Sequence, residues 1–104
     1  MARFDVYANP AVLERRHTPY LLDVQNNHID GLATRVVIPL RREDHFGPCA
    51  MRLNPQLEVA GLRVVLDTAA LGAVPCAELR QPVAQLTHAH EPVADALDAL
   101  FGAY

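Results

Sequence analysis

The sequence contains three β-branched residues in succession, Val36, Val37 and Ile38. Such side chains lose little χ1 freedom on a pleated surface, so they favour a strand over a helix. A continuous apolar run this short is typical of a strand that is covered on both faces. Pro39 has no N–H to give to a ladder, which predicts a strand end, an edge or a bulge. A second apolar run, Tyr20–Val24, precedes a polar turn, and the two runs are predicted to form the floor of the core.

Further strands are predicted on both sides of this pair. The alternation within Arg3–Tyr7 indicates a half-buried first strand. Gln56–Asp67 is predicted to form a hairpin that turns near Ala60 and Gly61, because the glycine supplies the positive φ of a tight turn. Four less regular segments are also predicted: a polar loop or projecting hairpin over Ala8–Pro19, a mobile charged connection over Arg41–Pro48, a short strand over Val74–Leu79 and a helical turn over Gln81–Leu86.

One helix is predicted, from about His90 to Phe101, and Pro92 is tolerated in its first turn. Its apolar residues recur at helical spacing and form one stripe: Val93, Ala96, Leu97, Leu100 and Phe101. The predicted fold class is therefore mainly antiparallel β with one C-terminal helix. The 104 residues are expected to form one domain, which can bury about 65% of its unfolded surface.

Composition excludes several classes of chemistry. The chain has no Lys, Ser or Trp, and all nine of its cations are Arg. Serine nucleophiles, Schiff bases and P-loop lysines are therefore excluded. The net charge of −3 argues against direct nucleic-acid binding, which needs a basic surface. With no apolar run long enough for a membrane span and no apolar leader, a cytoplasmic protein is expected, and Cys49 and Cys76 are expected to be free thiols.

Two histidines, His88 and His90, could bind a metal, but a metal site needs three or four ligands. Solvated residues around a helix start are the favoured interpretation, and no cofactor or metal is expected. Cys49 follows His45 by four residues, yet no third, orienting group is evident. A small metal- or thiol-dependent enzyme is kept as an alternative.

Two carboxylates, Asp95 and Asp98, are three residues apart on the predicted helix. General acid–base work would require one of them to be desolvated, whereas the polar face of a helix is solvated. A solvated pair without a catalytic role is the favoured interpretation.

Two arginine doublets are predicted to lie in loops of this acidic protein. They could bind an acidic, disordered partner or simply keep the surface charged. The four residues are Arg15, Arg16, Arg41 and Arg42.

A series of short motifs follows in order along the chain. They are Phe4-Asp5-Val6-Tyr7, Asp23-Val24-Gln25, Ile29-Asp30, Arg35-Val36-Val37-Ile38-Pro39-Leu40, Leu53-Asn54-Pro55, Thr68 with Ala73-Val74-Pro75, and Val83-Ala84 with Leu86. With these motifs the chain resembles the CcdB family, the toxins of a bacterial type II toxin–antitoxin system that poison DNA gyrase. The resemblance spans nearly the full length.

The resemblance implies a twisted antiparallel sheet like a small SH3-like barrel, with a wing sheet and a terminal helix. It further implies a homodimer with the two helices at its interface. The implied target is the gyrase A subunit, trapped while it holds cleaved DNA, and the protein would not be an enzyme. A cognate antitoxin with a disordered C-terminal segment would neutralise it, through the Arg15, Arg16, Arg41 and Arg42 surface. Plasmid maintenance is the biological role that this implies.

Carried over by position, the resemblance implies a gyrase-binding surface of seven residues: His28, Ile29, Asp98, Phe101, Gly102, Ala103 and Tyr104. The best-known family members carry Trp-Gly-Ile where an ungapped alignment has Gly102-Ala103-Tyr104, and a shift of one residue aligns Phe101-Gly102-Ala103 instead. Phe101 or Tyr104 could then replace the Trp. The alternative is a non-toxic homologue that binds only an antitoxin-like peptide, with Phe101 in the core.

Overall fold

The computed structural model describes residues 1–29 and 31–102. Within these residues, seven strands form one antiparallel sheet, followed by one α-helix. The strands are β1 (Asp5–Ala8), β2 (Tyr20–Asp23), β3 (Thr34–Arg42), β4 (Gln56–Val59), β5 (Leu62–Leu66), β6 (Gly72–Pro75) and β7 (Ala84–Gln85), and the helix is α1 (His90–Phe101). Short 3₁₀ helices span Val12–Glu14, Glu43–His45, Thr68–Ala70, Cys76–Glu78 and Thr87–Ala89. The predicted fold class is confirmed, and the sheet curls into a nearly closed barrel.

The long strand β3 is the centre of the sheet. The strand order is β4-β5-β3-β2-β1-β7, and β6 also pairs with β3. On the side away from β2, β3 pairs with β6 over Thr34–Val37 and with β5 over Leu40–Arg42. Pro39 lies between these two ladders, and its carbonyl accepts from the N–H of Asp67 at 3.0 Å. Proline is therefore tolerated inside β3, because its missing N–H falls at the point where the neighbouring strand changes from β6 to β5.

The central strands are covered on both faces, as predicted. Successive residues enter two different clusters: Ile38 packs in the main core against α1, whereas Val37 packs in a smaller cluster with Tyr7 and Leu79. β1 behaves in the same way, since Tyr7 is only 1% exposed. The prediction of a half-buried first strand is therefore wrong, because Leu79 and its neighbours cover the second face.

Three of the less regular segments differ from the predictions. The strand predicted over Val74–Leu79 is β6 (Gly72–Pro75), followed by the 3₁₀ helix Cys76–Glu78. The helical turn predicted over Gln81–Leu86 is wrong, because β7 forms there and pairs with β1. The polar loop contains the 3₁₀ helix Val12–Glu14.

The charged connection begins later than predicted. Arg41 and Arg42 belong to β3 and pair with Val65 and Val64 of β5. The prediction that this doublet lies in a loop is wrong, because the ladder with β5 continues beyond the apolar run. The 3₁₀ helix Glu43–His45 follows.

The helix has the predicted bounds but buries a narrower face. Val93 and Ala96 are fully buried, whereas Phe101 is 69% exposed. At about 100° per residue, Phe101 lies roughly 110° around the helix axis from the mean direction of that buried pair. The prediction that Phe101 continues the buried stripe is therefore wrong, and so is the alternative that places it in the core. α1 ends at Phe101, and the following residue, Gly102, has a left-handed φ of 70° and donates its N–H to the Asp98 carbonyl at 2.9 Å.

The β4–β5 hairpin is confirmed, and its turn allows a stability prediction. Ala60 and Gly61 have φ of 50° and 83°, the two positive values of a type I′ turn. Alanine is strained there, so we expect Ala60→Gly to raise the free energy of unfolding by about 0.5–1 kcal/mol in urea denaturation. The control is Ala50→Gly, at an exposed alanine without a positive φ, which should be neutral or destabilising. Equal effects of the two substitutions would contradict the prediction.

Candidate functional site

The turn between β2 and β3 carries two of the predicted site residues, His28 and Ile29, and both are exposed. Asn26 shapes this turn from within: its Oδ1 accepts from the His28 N–H at 2.9 Å. Its carbonyl accepts from the Ile29 N–H at 3.1 Å. An Asn side chain that binds the backbone two residues ahead forms an Asx-turn, which restricts the local backbone. The two side chains are thus presented to solvent on an ordered turn.

An exposed apolar patch surrounds Ile29. Ile29, Leu32 and Met1 are each about half exposed, at 45%, 55% and 54%. They line a shallow cavity of about 230 Å³ together with Cys76, whose thiol donates to the Leu32 carbonyl at 3.6 Å. Sequence reasoning identified Ile29 but missed Met1 and Leu32, because nothing local marks them as neighbours.

A buried ion pair lies below the turn. Arg35 donates from Nε to Asp23 Oδ2 at 2.7 Å and from Nη2 to Asp23 Oδ1 at 2.9 Å. Asp23 is completely buried, and the Arg35 side chain is only 8% exposed. The hydrogen bond to Asp23 raises the pKa of the Arg35 guanidinium above its ordinary value. This bidentate pair ties the end of β2 to the start of β3.

Gln25 extends this network to the turn itself. Its side-chain Oε1 accepts from the Val36 N–H at 3.0 Å, and its own N–H donates to Asp23 Oδ1 at 3.0 Å. Arg35 Nη2 also lies 3.5 Å from the Gln25 carbonyl. The buried polar groups at the base of the turn therefore satisfy one another, as buried polar groups must to be stable.

Tyr7 borders the same network. Its hydroxyl lies 3.5 Å from Asp5 Oδ2. Burial raises the pKa of Tyr7 to about 12, and the negative charges of Asp5 and Asp23 add to the rise, while Arg35 opposes it. The phenol is therefore held neutral well above pH 10.

This pKa predicts a loss of stability at high pH. Between pH 10 and pH 12 the unfolded chain loses the Tyr7 proton while the folded chain keeps it, so the free energy of unfolding falls as pH rises, by up to about 1.4 kcal/mol per pH unit. Urea denaturation across this range should show the fall in the wild-type chain. In Tyr7→Phe the slope should be smaller; identical slopes would contradict the assignment to Tyr7.

The other predicted target-facing residues lie at the end of α1. Asp98, Phe101 and Gly102 are exposed; Ala103 and Tyr104, like Asp30 of the turn, lie outside the described residues. In the described part of the chain, no hydrogen bond, ion pair or ring contact joins these three residues to His28 or Ile29.

The two arginines of β3 point to opposite faces, as strand alternation requires. Arg42 donates to the Asp44 carboxylate at 3.1 and 3.0 Å, and this hydrogen bond lowers the pKa of Asp44 to about 2. Arg41 instead donates to Asp67 Oδ2 and to Thr18 Oγ1, both at 2.6 Å.

A groove on the Arg41 face connects it with Arg15. One cavity of about 270 Å³ contains Arg41, and a second of about 440 Å³ contains Arg15. Both are lined by Pro10 and Glu78, so they adjoin. Arg80, which sequence reasoning missed, also lines the larger cavity. The structure therefore brings Arg15 and Arg41 to one groove, whereas Arg42 lies outside it. Arg16 follows Arg15 in the sequence and is exposed.

A comparison with family models finds a match over residues 3–102 to the model described as CcdB protein. The chain belongs to the CcdB family. This is a family of toxins of toxin–antitoxin systems, with antitoxin and gyrase as its partners in general, and not a family of catalytic enzymes. A comparison with curated proteins gives no match.

The histidines and cysteines considered as candidate ligands or nucleophiles all lie within the described residues. Among residues 1–29 and 31–102, no group of three or more His, Cys, Asp and Glu side chains could hold a metal ion. His88 and His90 are exposed, and the His90 ring packs edge-on to Phe4 at 5.5 Å. Cys49 and Cys76 are both free. In the same residues, no helix is long and apolar enough to cross a membrane.

Proposed function

We propose that this protein is the toxin of a type II toxin–antitoxin system, that it binds the gyrase A subunit and that it traps the gyrase–DNA cleavage complex. The observation that carries the proposal is the CcdB family match over nearly the whole chain. Its place of action is the cytoplasm, where gyrase acts on DNA, and its role includes plasmid maintenance. It acts by binding and not by catalysis.

The exposed aromatic on α1 supports this proposal. Phe101 is the most exposed of the chain's three phenylalanines, and large exposed aromatics commonly supply most of an interface's binding energy. Gly102 supports the alignment shifted by one residue, because it provides the left-handed residue that caps the end of α1. That alignment keeps glycine opposite glycine and gives Phe101 the position of the family's Trp. Asp98 flanks it one turn earlier, and Ala103 and Tyr104 complete the proposed tail.

The turn residues His28 and Ile29 form the second part of the proposed target surface. No hydrogen bond, ion pair or ring contact joins them to Phe101 in the described residues, and the proposal includes a homodimer with the two α1 helices at its interface. Two chains provide two turns and two helix ends, which together offer gyrase a larger surface than either group alone.

A DNA-cleavage assay with the purified chain, gyrase and ATP tests the proposal. We expect covalently cleaved DNA to accumulate, and we expect removal of residues 102–104 to abolish it. A folded chain that produces no cleavage would refute gyrase poisoning. It would favour the alternative, a non-toxic homologue that binds only an antitoxin peptide, and grafting Trp-Gly-Ile at residues 101–103 should then create the activity.

The groove with Arg15 and Arg41 is the proposed antitoxin site. An extended acidic segment would meet the positive charges of Arg15, Arg41 and Arg80 along it, and the exposed Val12 offers an apolar contact at its rim. Arg16 is near this groove in sequence. Arg42 is not included, because it faces the other side of β3 and lines neither cavity of this groove.

This site predicts different effects for two charge reversals. Arg15→Glu should weaken binding of the cognate antitoxin's C-terminal segment by about tenfold, because it places a carboxylate where an acidic segment docks. Arg42→Glu, the matched control on the other face, should change affinity by less than about twofold. Calorimetric titration at low and high salt measures both. Equal weakening by the two variants would remove the groove as the site.

A further inference from the structure

The network below the β2–β3 turn contains a cluster of buried polar residues. None of them belongs to the gyrase-binding or antitoxin-binding residues that the family resemblance implies. Asp23, Gln25 and Arg35 are all buried, Asp23 completely. Within this cluster every bond lies between β2, β3 and the first residues of the turn. A buried polar network of this kind is costly unless all its members are satisfied, so its position directly below His28 and Ile29 needs a reason.

We propose that Asp23, Gln25 and Arg35 are positioning residues, which hold the turn of residues 26–29 rigid and so set the affinity for the gyrase A subunit. This inference rests on the proposed function. None of the three touches the target; they act through the backbone that presents His28 and Ile29.

The contacts show how the turn is held. The last backbone bond of the ladder joins the Val24 N–H to the Val36 carbonyl at 3.1 Å. Beyond it, the Gln25 side chain replaces the missing backbone partner of the Val36 N–H. Arg35, fixed on Asp23, lies against the Gln25 carbonyl. Hydrogen bonds thus join the two strands as far as Gln25, and the Asx-turn begins at the next residue, Asn26.

The N-terminal segment braces the turn from another side. The Arg3 N–H donates to the Asn27 side-chain oxygen at 2.7 Å, and the Phe4 N–H donates to the Asp23 carbonyl at 2.7 Å. A loop held in its bound conformation before binding does not lose further freedom on binding, and affinity rises accordingly. The arrangement is that of a preorganised recognition turn.

The test compares Gln25→Met with Asn54→Ala. Gln25→Met keeps the side-chain length but removes the acceptor of the Val36 N–H, and it leaves the Asp23–Arg35 pair in place. Gln25→Met thus removes one side-chain hydrogen bond, whereas Asn54→Ala removes two, to the Ala50 N–H and the Leu66 carbonyl, both 3.0 Å long. Asn54 precedes the edge strand β4, away from the turn in the sheet order.

Two measurements are made well below both unfolding temperatures: amide hydrogen exchange at His28 and Ile29, and the dissociation constant for the gyrase A subunit. For Gln25→Met we expect exchange at both amides at least about tenfold faster and affinity weaker by about tenfold. For Asn54→Ala we expect both quantities within about twofold of the wild type, despite its own loss of stability.

Unchanged exchange in Gln25→Met, or faster exchange with unchanged affinity, would overturn the inference. If that variant does not fold, Asn26→Ala replaces it: this exposed change removes only the Asx bond to the His28 N–H and should weaken affinity by at least threefold. Unchanged affinity of the Asn26→Ala variant for the gyrase A subunit would also overturn the inference. A wild-type chain that does not bind gyrase refutes the proposed function instead, which distinguishes the two failures.

Discussion

Replacing Asp23 with asparagine is expected to remove about 3–5 kcal/mol from the free energy of unfolding. The substitution keeps the shape of the side chain but removes its charge, so the guanidinium of Arg35 remains buried without a counter-ion. Leaving one member of a buried ion pair unpaired is among the most destabilising single changes. Because a domain of this size is stable by only about 5–15 kcal/mol, the loss should be obvious in urea denaturation.

Two further variants make this prediction specific. Asp44→Asn breaks the ion pair with Arg42, in which the Asp44 side chain is 60% exposed and the Arg42 side chain 38%, and exposed pairs contribute little to stability. The double variant Asp23→Leu with Arg35→Met replaces the buried pair by apolar side chains and should regain much of the lost stability. Equal losses for Asp23→Asn and Asp44→Asn would contradict the importance of the buried pair.

Replacing Phe101 with alanine is expected to abolish most gyrase poisoning while leaving the fold unchanged. Under the proposed function Phe101 is the aromatic anchor, and truncating such an anchor costs about 2 kcal/mol or more of binding free energy, which is about thirtyfold or more in affinity. Since the side chain is 69% exposed, its removal should change the free energy of unfolding by at most about 0.5 kcal/mol.

Met51→Ala is the matched control, because Met51 is 93% exposed and apolar but belongs to no proposed surface. DNA-cleavage titrations and growth of a gyrase-sensitive host that lacks the antitoxin should separate the two variants. Phe101→Ala should need at least about thirtyfold more protein for the same cleavage, whereas Met51→Ala should match the wild type. Full activity in Phe101→Ala would leave the proposed anchor without support.

The parts of the fold that depend on local patterns were predictable. The β2–β3 pair, the β4–β5 hairpin and α1 are each specified by apolar spacing and turn residues within a short stretch. β7 was missed because its two residues form a strand only through pairing with β1, far away in the sequence. The arginines of β3 were assigned to a loop because charged residues hid the continuation of the ladder with β5.

The site was less predictable than the fold. Helical spacing placed Phe101 in the apolar stripe of α1, but the spacing could not say which side of the helix the sheet covers. Phe101 faces solvent because the sheet covers a different side. The resemblance supplied His28 and Ile29, whereas the ion pair below them was not predicted. Its signal was present in the sequence: Asp23 and Arg35 each adjoin an apolar run, where a charge is buried and needs a partner.

The pairing of β1 with β7 has a consequence for synthesis. Val6 lies beside Ala84, so this ladder cannot form on the ribosome until nearly all of the described chain has emerged. Contacts between residues so distant in sequence slow folding, because a large loop must close before they are made. Tyr7 and the polar groups around it are therefore completed among the last parts of the molecule. The hydrogen bonds that hold the β2–β3 turn all lie within residues 3–36, so this turn can form early, whereas the end of α1 at Phe101 forms only after nearly all of the described chain has been synthesised.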